Sequence, residues 1–344
     1  MNTLRIFLAG ASGTLGRRLL PQLVARGHQV VGATRSTARA AELQQLGAEP
    51  AVLDPLDARA VREAVVHARP DVVVHQLTAL AGLGMSRNFD RAFAETNRLR
   101  TEGTDHLIAA ARAAGARRLV WQSFAGWPYA REGGPVKTED DPLDREPPAD
   151  ARETLAAIRH LEAAVLGADG LEGVVLRYGG FYGPTTSIDE GGEHIELIRK
   201  RRFPIAGDGA GMWSFIHIDD AAAATVAAIE GGAPGIYNVV DDDPAATNDW
   251  LPTLAAAIGA KPPRRLPAWL VRLAGGEQAL TMMTRSRAAS NAKAARELGW
   301  RPQHSWRELQ YGGKSAYQSP STRNDFQNAR LDSSSSSASS MLDV

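Results

Sequence analysis

Three residue types that together can relay a proton occur in the stretch QSFAGWPYAREGGPVK, residues 122–137. A serine hydroxyl can hold a carbonyl oxygen, a phenol can pass the proton, and a nearby ammonium group can lower the pKa of the phenol. Ser123, Tyr129 and Lys137 supply these groups. A Gly-Gly-Pro sequence separates Tyr129 from Lys137, so no regular helix can align the two. Ser123 follows a predicted strand and is therefore the strongest candidate of the set, with Tyr129 reaching the site from a loop.

The composition excludes several classes of function. The 344 residues carry 39 Lys+Arg and 39 Asp+Glu, so no basic field predicts nucleic-acid binding. Cysteine is absent, which excludes disulfides and thiolate chemistry, and the 8 histidines show no spacing typical of a metal site. No apolar run is long enough to span a bilayer, and no signal peptide is visible. We expect a cytoplasmic protein that acts on a small molecule, with no metal, no nucleic acid and no membrane partner.

Strand-length apolar runs alternate with segments of helical period through the first half of the chain. The runs are continuous in Val, Ile and Leu rather than alternating, which is typical of strands buried on both faces of a parallel sheet. Repeated β-α units with short links predict an α/β fold with a Rossmann-type doubly wound parallel sheet. The predicted strands lie at 4–9, 28–34, 48–54, 71–77 and 117–123.

The glycine-rich stretch GASGTLG, residues 10–16, is the strongest functional signal. It stands between the first buried strand and an amphipathic helix. There, backbone N–H groups at a helix N-terminus can hold a phosphate, and glycines leave room for its approach. The loop therefore predicts dinucleotide binding. The predicted contacts are Gly10, Ser12, Gly13, Thr14, Leu15 and Gly16.

The end of the second strand favours NADP(H) over NAD(H). A cofactor without a 2′-phosphate is usually held there by an acidic residue. The sequence GATRSTAR has none, and places Arg35, Ser36 and Arg39 in this zone. A guanidinium can bind a phosphate with two hydrogen bonds. NAD(H) stays possible, since these arginines could also be the exposed start of a helix.

Several further stretches, in the same order along the chain, resemble the extended short-chain dehydrogenase/reductases of the NAD-dependent epimerase/dehydratase family. The resemblance implies hydride chemistry at a nicotinamide. It also implies a small C-terminal lobe that binds the substrate, Asp54 beside the adenine, and Leu77, Thr78, Ala79 and Asn97 along the cofactor. The matching segments are AVLDPLD (51–57), DVVVHQLTAL (71–80), TNRLRTEGTDHLIAAARAAGARRLVWQS (96–123), LRYGGFYGP (176–184), SFIHIDDAAAA (214–224), IYNVVDDDP and NAKAARELGWRP.

The chain departs from the family pattern at the catalytic Tyr-x-x-x-Lys pair. When the helix ARETLAAIRHLEAAVL (151–166) is aligned on Glu162, Thr154 and Ile158 stand in place of tyrosine and lysine. Neighbouring frames restore no such pair either. Phe124 takes the place of the second serine of the family segment, which leaves Ser123 as the first.

Two functions fit this combination. The first is an NAD(P)-dependent oxidoreductase or epimerase/dehydratase-like enzyme with a non-standard active site, acting on a carbonyl, an alcohol or a sugar-nucleotide-type molecule. Ser123, Tyr129 or His160 would then serve as its catalytic groups. The second is a dinucleotide-binding sensor without turnover. Aromatic residues that could line a substrate pocket are Trp121, Trp127, Tyr129, Phe181 and Tyr182.

We expect one domain over 1–310, with a Rossmann core of about 1–180 plus 212–240. The substrate lobe would be built from the separated segments 181–211 and 241–310. The Ser-rich residues 311–344 are predicted to be disordered, because they cannot bury enough apolar surface. The family resemblance further implies a possible homodimer formed by the helical segments near 88–114 and 150–166.

Overall fold

A seven-stranded parallel sheet is the frame of the molecule. The computed structural model describes residues 3–80 and 87–309, so the predicted disordered tail at 311–344 lies outside the described residues. The strand order β7-β6-β5-β4-β1-β2-β3 is that of a doubly wound fold, and the predicted fold class is confirmed. The strands are β1 (Arg5–Ala9), β2 (Gln29–Thr34), β3 (Glu49–Val52), β4 (Val72–His75), β5 (Arg118–Phe124), β6 (Glu172–Tyr178) and β7 (Gly235–Val239).

Helices cover both faces of this sheet, which explains why its strands read as continuous apolar runs. One face packs against α1 and α8, and the other against α3, α5 and α6. The helices are α1 (Thr14–Ala25), α2 (Thr37–Gln45), α3 (Ala58–Ala68), α4 (Phe89–Arg98), α5 (Thr104–Ala114), α6 (Arg152–Leu166), α7 (Glu193–Arg199), α8 (Ile218–Glu230), α9 (Thr247–Ala257), α10 (Ala268–Thr284) and α11 (Ala292–Glu297).

A π-helical turn at Leu99–Gly103 joins α4 to α5. The sequence predicts one helical segment over roughly 88–114. The structure is helical over this range, but the helix widens from α to π geometry at this turn. Two buried side chains hold the turn to the sheet: His75 bonds the carbonyl of Leu99 at 3.1 Å, and Trp121 donates to Thr104 at 3.2 Å. A π-turn accommodates an extra residue in a helix, and such turns occur often at functional sites. The turn is therefore a candidate part of the functional site.

A separate hydrophobic cluster, formed by residues from several segments after Tyr178, lies outside the sheet layers. Its aromatic members Phe203, Phe215, Trp250 and Trp306 are buried and contact one another. This cluster agrees with a lobe built from separated segments, although the exact division of the domain stays a prediction. Short strand pairs support it: Gly180–Tyr182 with Phe215–His217, Ile205–Ala206 with Arg265–Leu266, and Met212–Trp213 with Ala245–Ala246.

The long loop between β5 and α6 is fixed to the sheet rather than standing clear of it. Its strand Val136–Lys137 pairs in parallel with Ala288–Ala289, and Tyr129 is fully buried. This pairing and the buried tyrosine fix the loop over residues 126–149 to the rest of the fold. Within the two described ranges, no helix is both long and apolar enough to cross a membrane.

Candidate active site

The crevice between β1 and β4 is the point where the strand order reverses. From β1 the chain winds outward to β2 and β3, and then returns to β4 on the other side of β1. In open parallel sheets, ligands bind at the carboxyl ends of the strands at such a point. The glycine loop follows β1 and the Gln76–Ala79 segment follows β4, so both predicted cofactor segments meet here.

The backbone of the glycine loop fits a dinucleotide phosphate. Gly10 has a φ of 89°, and a Cβ there would lie 2.6 Å from the Gln76 carbonyl. A Cβ on Gly16 would lie 2.3 Å from the carbonyl of Gly10. Gly13 caps α1 without a side-chain hydrogen bond, so the first N–H groups of the helix have no intrahelical acceptor. These groups, with Thr14 and Leu15 in the first turn, would hold the pyrophosphate.

Hydroxyl and guanidinium groups surround the end of β2. Ser12 and Thr34 share a hydrogen bond of 2.9 Å, and the N–H of Ser36 donates to the Thr34 hydroxyl at 3.2 Å. Arg39 donates to the Ser12 carbonyl at 3.3 Å, and the exposed Arg35 pairs with Glu95 at 2.5 Å.

The remaining predicted cofactor residues lie at neighbouring strand ends. Asp54 is two residues past β3, and its carboxylate accepts from the Leu56 N–H at 3.0 Å. Leu77, Thr78 and Ala79 are half-buried after β4. Their segment is fixed to α4, since the Ala79 N–H donates to the Thr96 hydroxyl at 3.0 Å.

Ser123 belongs to a buried ion-pair network. Its hydroxyl donates to Glu162 at 2.7 Å, and Arg177 binds the same carboxylate through Nε and Nη2 at 2.8 and 2.6 Å. All three side chains are at least nine-tenths buried. A serine that donates its proton to a carboxylate has none left for a substrate oxygen. In this structure the Ser123 hydroxyl is therefore engaged by Glu162 and is not free to donate to a substrate oxygen.

Tyr129 is committed in the same way. Its phenol donates to Asn238 on β7 at 2.5 Å and accepts from Arg177 at 3.1 Å. Burial raises the pKa of this phenol, which keeps its proton in place. Lys137, the third member of the suspected relay, pairs with Asp141 at 2.9 Å. The three groups form no relay.

Thr154, at the place of the family tyrosine, is also fully satisfied. Its hydroxyl donates to Asp90 at 2.7 Å and accepts from the Asn97 side-chain amide at 3.1 Å. Asp90 also accepts from the backbone N–H groups of Glu153 and Thr154, and so caps α6 from α4. Sequence reasoning missed this role of Asp90.

His160 lies away from these groups. Its ring is exposed and bonds Asp105 of α5 at 2.8 Å. It stands two residues before Glu162, so the two side chains leave opposite faces of α6. The structure therefore does not support His160 as a catalytic acid. Of the predicted aromatic pocket, Trp121 and Tyr182 are buried core residues, whereas Trp127 and Phe181 are half-buried.

The π-turn supplies a group that sequence reasoning missed. Arg100 is 7% exposed, and its Nη1 has no hydrogen-bond partner. Burial lowers the pKa of this guanidinium to about 10, so it stays charged at neutral pH. The sequence carries no local signal for this burial, because Arg100 stands in a charged stretch between Arg98 and Glu102.

The sheet, its switch point and the phosphate loop define an NAD(P)-binding Rossmann protein of the extended short-chain dehydrogenase/reductase type. The chain belongs to the NAD dependent epimerase/dehydratase family, whose sequence model matches residues 6–239.

The similar proteins whose names state an activity are reductases and epimerases. A Streptomyces sp. protein named 3-diazoavenalumate denitrifying reductase is 46% identical over 307 residues, which are 89% of this chain and 98% of that protein. A Stigmatella aurantiaca protein named 4-hydroxy-2-methyl-3-oxo-4-farnesyl-3,4-dihydroquinoline-1-oxide ketoreductase is 31% identical over 329 residues, 92% of this chain and 94% of its own. The solved UDP-glucose 4-epimerase of Thermus thermophilus, in complex with NAD, has a TM-score of 0.66 and 25% identity, and the match covers 88% of this chain and 96% of that one.

These findings make the chain an NAD(P)-dependent enzyme of the oxidoreductase or epimerase type. They do not support the alternative of a non-catalytic sensor.

Proposed function

We propose that the protein is an NADPH-dependent reductase that removes the nitrogen of an aryl diazonium group. The observation that carries this proposal is the state of the three hydroxyls at the site. Those of Ser123, Tyr129 and Thr154 all donate to protein acceptors, while the phosphate loop is complete. The site thus keeps what is needed to bind a hydride donor and lacks a free acid in the place where the family has one.

Reduction of a diazonium needs no such acid. The bound nicotinamide supplies a hydride, that is, two electrons and one hydrogen. In the net reaction the C–N bond of the arene breaks, a C–H bond forms and N₂ leaves with the former bonding pair. No oxygen gains charge, so no proton has to be delivered, in contrast to ketone reduction. The Streptomyces relative, whose name gives a diazo compound and denitrification, supports this choice.

The protein's own part is then to bind, orient and exclude water. The ion pair of Glu162 and Arg177 holds β5, β6 and α6 together beneath the reacting position. The half-buried Phe124, where the family has its working serine, presents an apolar surface there, which suits a planar aromatic substrate and gives water no hydrogen bond.

The test is single-turnover oxidation of bound NADPH, followed by its absorbance, with 4-carboxybenzenediazonium and with the ketone 4-acetylbenzoate. We expect the diazonium to be converted to benzoate with one NADPH consumed per molecule, faster than in an enzyme-free control. We also expect the rate to persist at alkaline pH, because no protonated acid is required. Reduction of the ketone without turnover of the diazonium would overturn the proposal.

We also propose NADP(H) as the preferred cofactor and a homodimer as the assembly. Arg35 and Arg39 beside Ser12, with no acid at the end of β2, support the cofactor preference. The homodimer rests on the family resemblance, and α6 leaves Ala156, Ala163 and Leu166 exposed for it. The mass from light scattering would decide the second point, since a monomer at micromolar concentration contradicts it.

A further inference from the structure

Arg100 is a buried cation without a counter-ion of its own. Within the described residues its guanidinium makes no ion pair and no hydrogen bond, although the residue is only 7% exposed. Burying an unpaired charge is costly, and proteins keep such groups mainly where a ligand completes them. The arrangement calls for an anion.

The carboxylate whose charge acts on Arg100, that of Glu162, does not fill this need. Both oxygens of Glu162 already accept hydrogen bonds from Arg177, and one also accepts from Ser123. Since Arg177 neutralises Glu162, the charge on Arg100 is left over.

The segment that carries Arg100 also contacts the helix of Thr154 and Glu162. One helical turn earlier, Asn97 bonds Thr154, which occupies the place of the family tyrosine, and the π-turn packs against α6. The side-chain oxygen of Asn97 is itself buried without a partner. On α6, Ile158 stands where the family has a lysine, so that helix offers no positive charge at this position. Arg100, which follows α4, supplies a positive charge instead.

Aromatic rings lie beside this cation. The ring centre of Phe93 is 6.0 Å from the guanidinium carbon, Phe89 stacks on Phe93 at 4.3 Å, and Trp127 meets Phe89 edge-on at 5.4 Å. All three rings belong to half-buried residues. They offer an apolar surface that leads to a single buried positive charge.

We propose that Arg100 binds the carboxylate of an aromatic acid, whose ring lies on Phe93, Phe89 and Trp127. A planar guanidinium and a carboxylate can pair through two hydrogen bonds. The assignment rests on the proposed function, because it names the substrate class of that site: an aryl compound with both a carboxylate and the reacting group.

The test is calorimetric titration of the full-length protein, saturated with NADPH, with 4-hydroxycinnamate and with its methyl ester. We expect the wild type to prefer the acid by about tenfold or more, since a hydrogen bond to a charged group is worth that factor. Arg100→Met should remove the preference by weakening acid binding alone, and Arg100→Lys should keep part of it. Arg98→Met, on the same segment but exposed and paired with Glu102, is the matched control and should change nothing.

Thermal unfolding separates binding from a structural role. Because Arg100 makes no bond in the described fold, Arg100→Met should unfold at the same temperature as the wild type or higher. A lower unfolding temperature with the acid preference intact, or a wild type that binds acid and ester equally or binds neither, would overturn the assignment. Diazonium turnover is not measured in this titration. A protein that binds the acid through Arg100 but reduces only ketones would therefore keep this inference and lose the proposed function.

Discussion

Glu162 and Arg177 join three elements through one ion pair that is almost closed to water. The side chains are 7% and 4% exposed, and their bonds reach Ser123 on β5 and Tyr129 in the following loop. Asn238 extends the network to β7 and, through its amide, to the carbonyl of Ser290. Because the carboxylate, the guanidinium and both hydroxyls have partners in the network, it ties β5, β6, β7 and α6 together.

Removing one charge of this pair should be far more harmful than removing both. Glu162→Gln leaves Arg177 buried without a counter-ion, which we expect to cost ~3–5 kcal/mol in the free energy of unfolding. Urea denaturation would measure it. The control is Glu63→Gln, whose exposed pair with Arg59 should contribute almost nothing to the free energy of unfolding because water screens it.

The double variant Glu162→Gln/Arg177→Met provides the complementary measurement. It should recover a large part of the lost stability, since no charge is then buried alone. The single variants Glu162→Gln and Arg177→Met complete the comparison. If the double variant loses as much free energy of unfolding as the two single variants together, the loss does not come from the ion pair.

At the residue scale, the sequence could predict a position but not the partner found there. Gly10, Gly13 and Gly16 are local, so their role follows from a short motif. Ser123 was placed correctly at the end of β5, yet its partner Glu162 comes from α6. Which way a hydroxyl donates depends on neighbours far away in the chain, and no spacing rule contains that information.

Among the elements, the start of α1 has a strict steric requirement. The helix begins directly after the glycine loop, and a Cβ on Gly16 would collide with two backbone carbonyls, those of Gly10 at 2.3 Å and Ala11 at 2.5 Å. Backbone atoms cannot rotate away as a side-chain tip could, so the loop must move if this glycine is replaced.

Gly16→Ala should therefore displace the phosphate-binding N–H groups. We expect affinity for NADPH, measured by its fluorescence, to fall by about tenfold or more, since hydrogen bonds to a charged group are lost. The control is Gly231→Ala after α8, where a Cβ would meet nothing within 4 Å. Equal affinities in the two variants would show that the loop tolerates the methyl group.

The π-turn shows where element-level prediction stopped. The apolar pattern over 88–114 predicted a helix, and α4 and α5 confirm it. A pattern of period 3.6 cannot reveal a local widening, because the pattern resumes after the turn. Arg100 lies in this turn and is buried there. The apolar pattern therefore did not predict a buried charge at this place.

For the whole molecule, cofactor binding should be visible as stability. A ligand that binds only the folded state adds about 2.7 kcal/mol when present at a hundredfold excess over its Kd. If Arg35 contacts the 2′-phosphate, Arg35→Asp should reduce the rise in unfolding temperature caused by NADPH more than the rise caused by NADH. Arg59→Asp, on the exposed side of α3, is the control. Equal reductions for both cofactors would exclude a phosphate contact by Arg35.

At this scale the sequence predicted most of the architecture. The alternation of apolar runs and helical segments led to the parallel sheet, which the structure confirms, whereas the lobe built from separated segments stays a prediction. The glycines, prolines and acids of the loop before α6 are typical of exposed loops. Composition therefore does not show that Tyr129, within this loop, is fully buried.

The hydrogen bonds of Thr154 limit which side chains this position can hold. Its hydroxyl fits between Asp90 and Asn97 in a space that is fully buried. A tyrosine at this position would need room for a ring, and it would leave two polar side chains, those of Asp90 and Asn97, in need of new partners. A phenol cannot therefore be installed here by one substitution without rearranging the contact between α4 and α6.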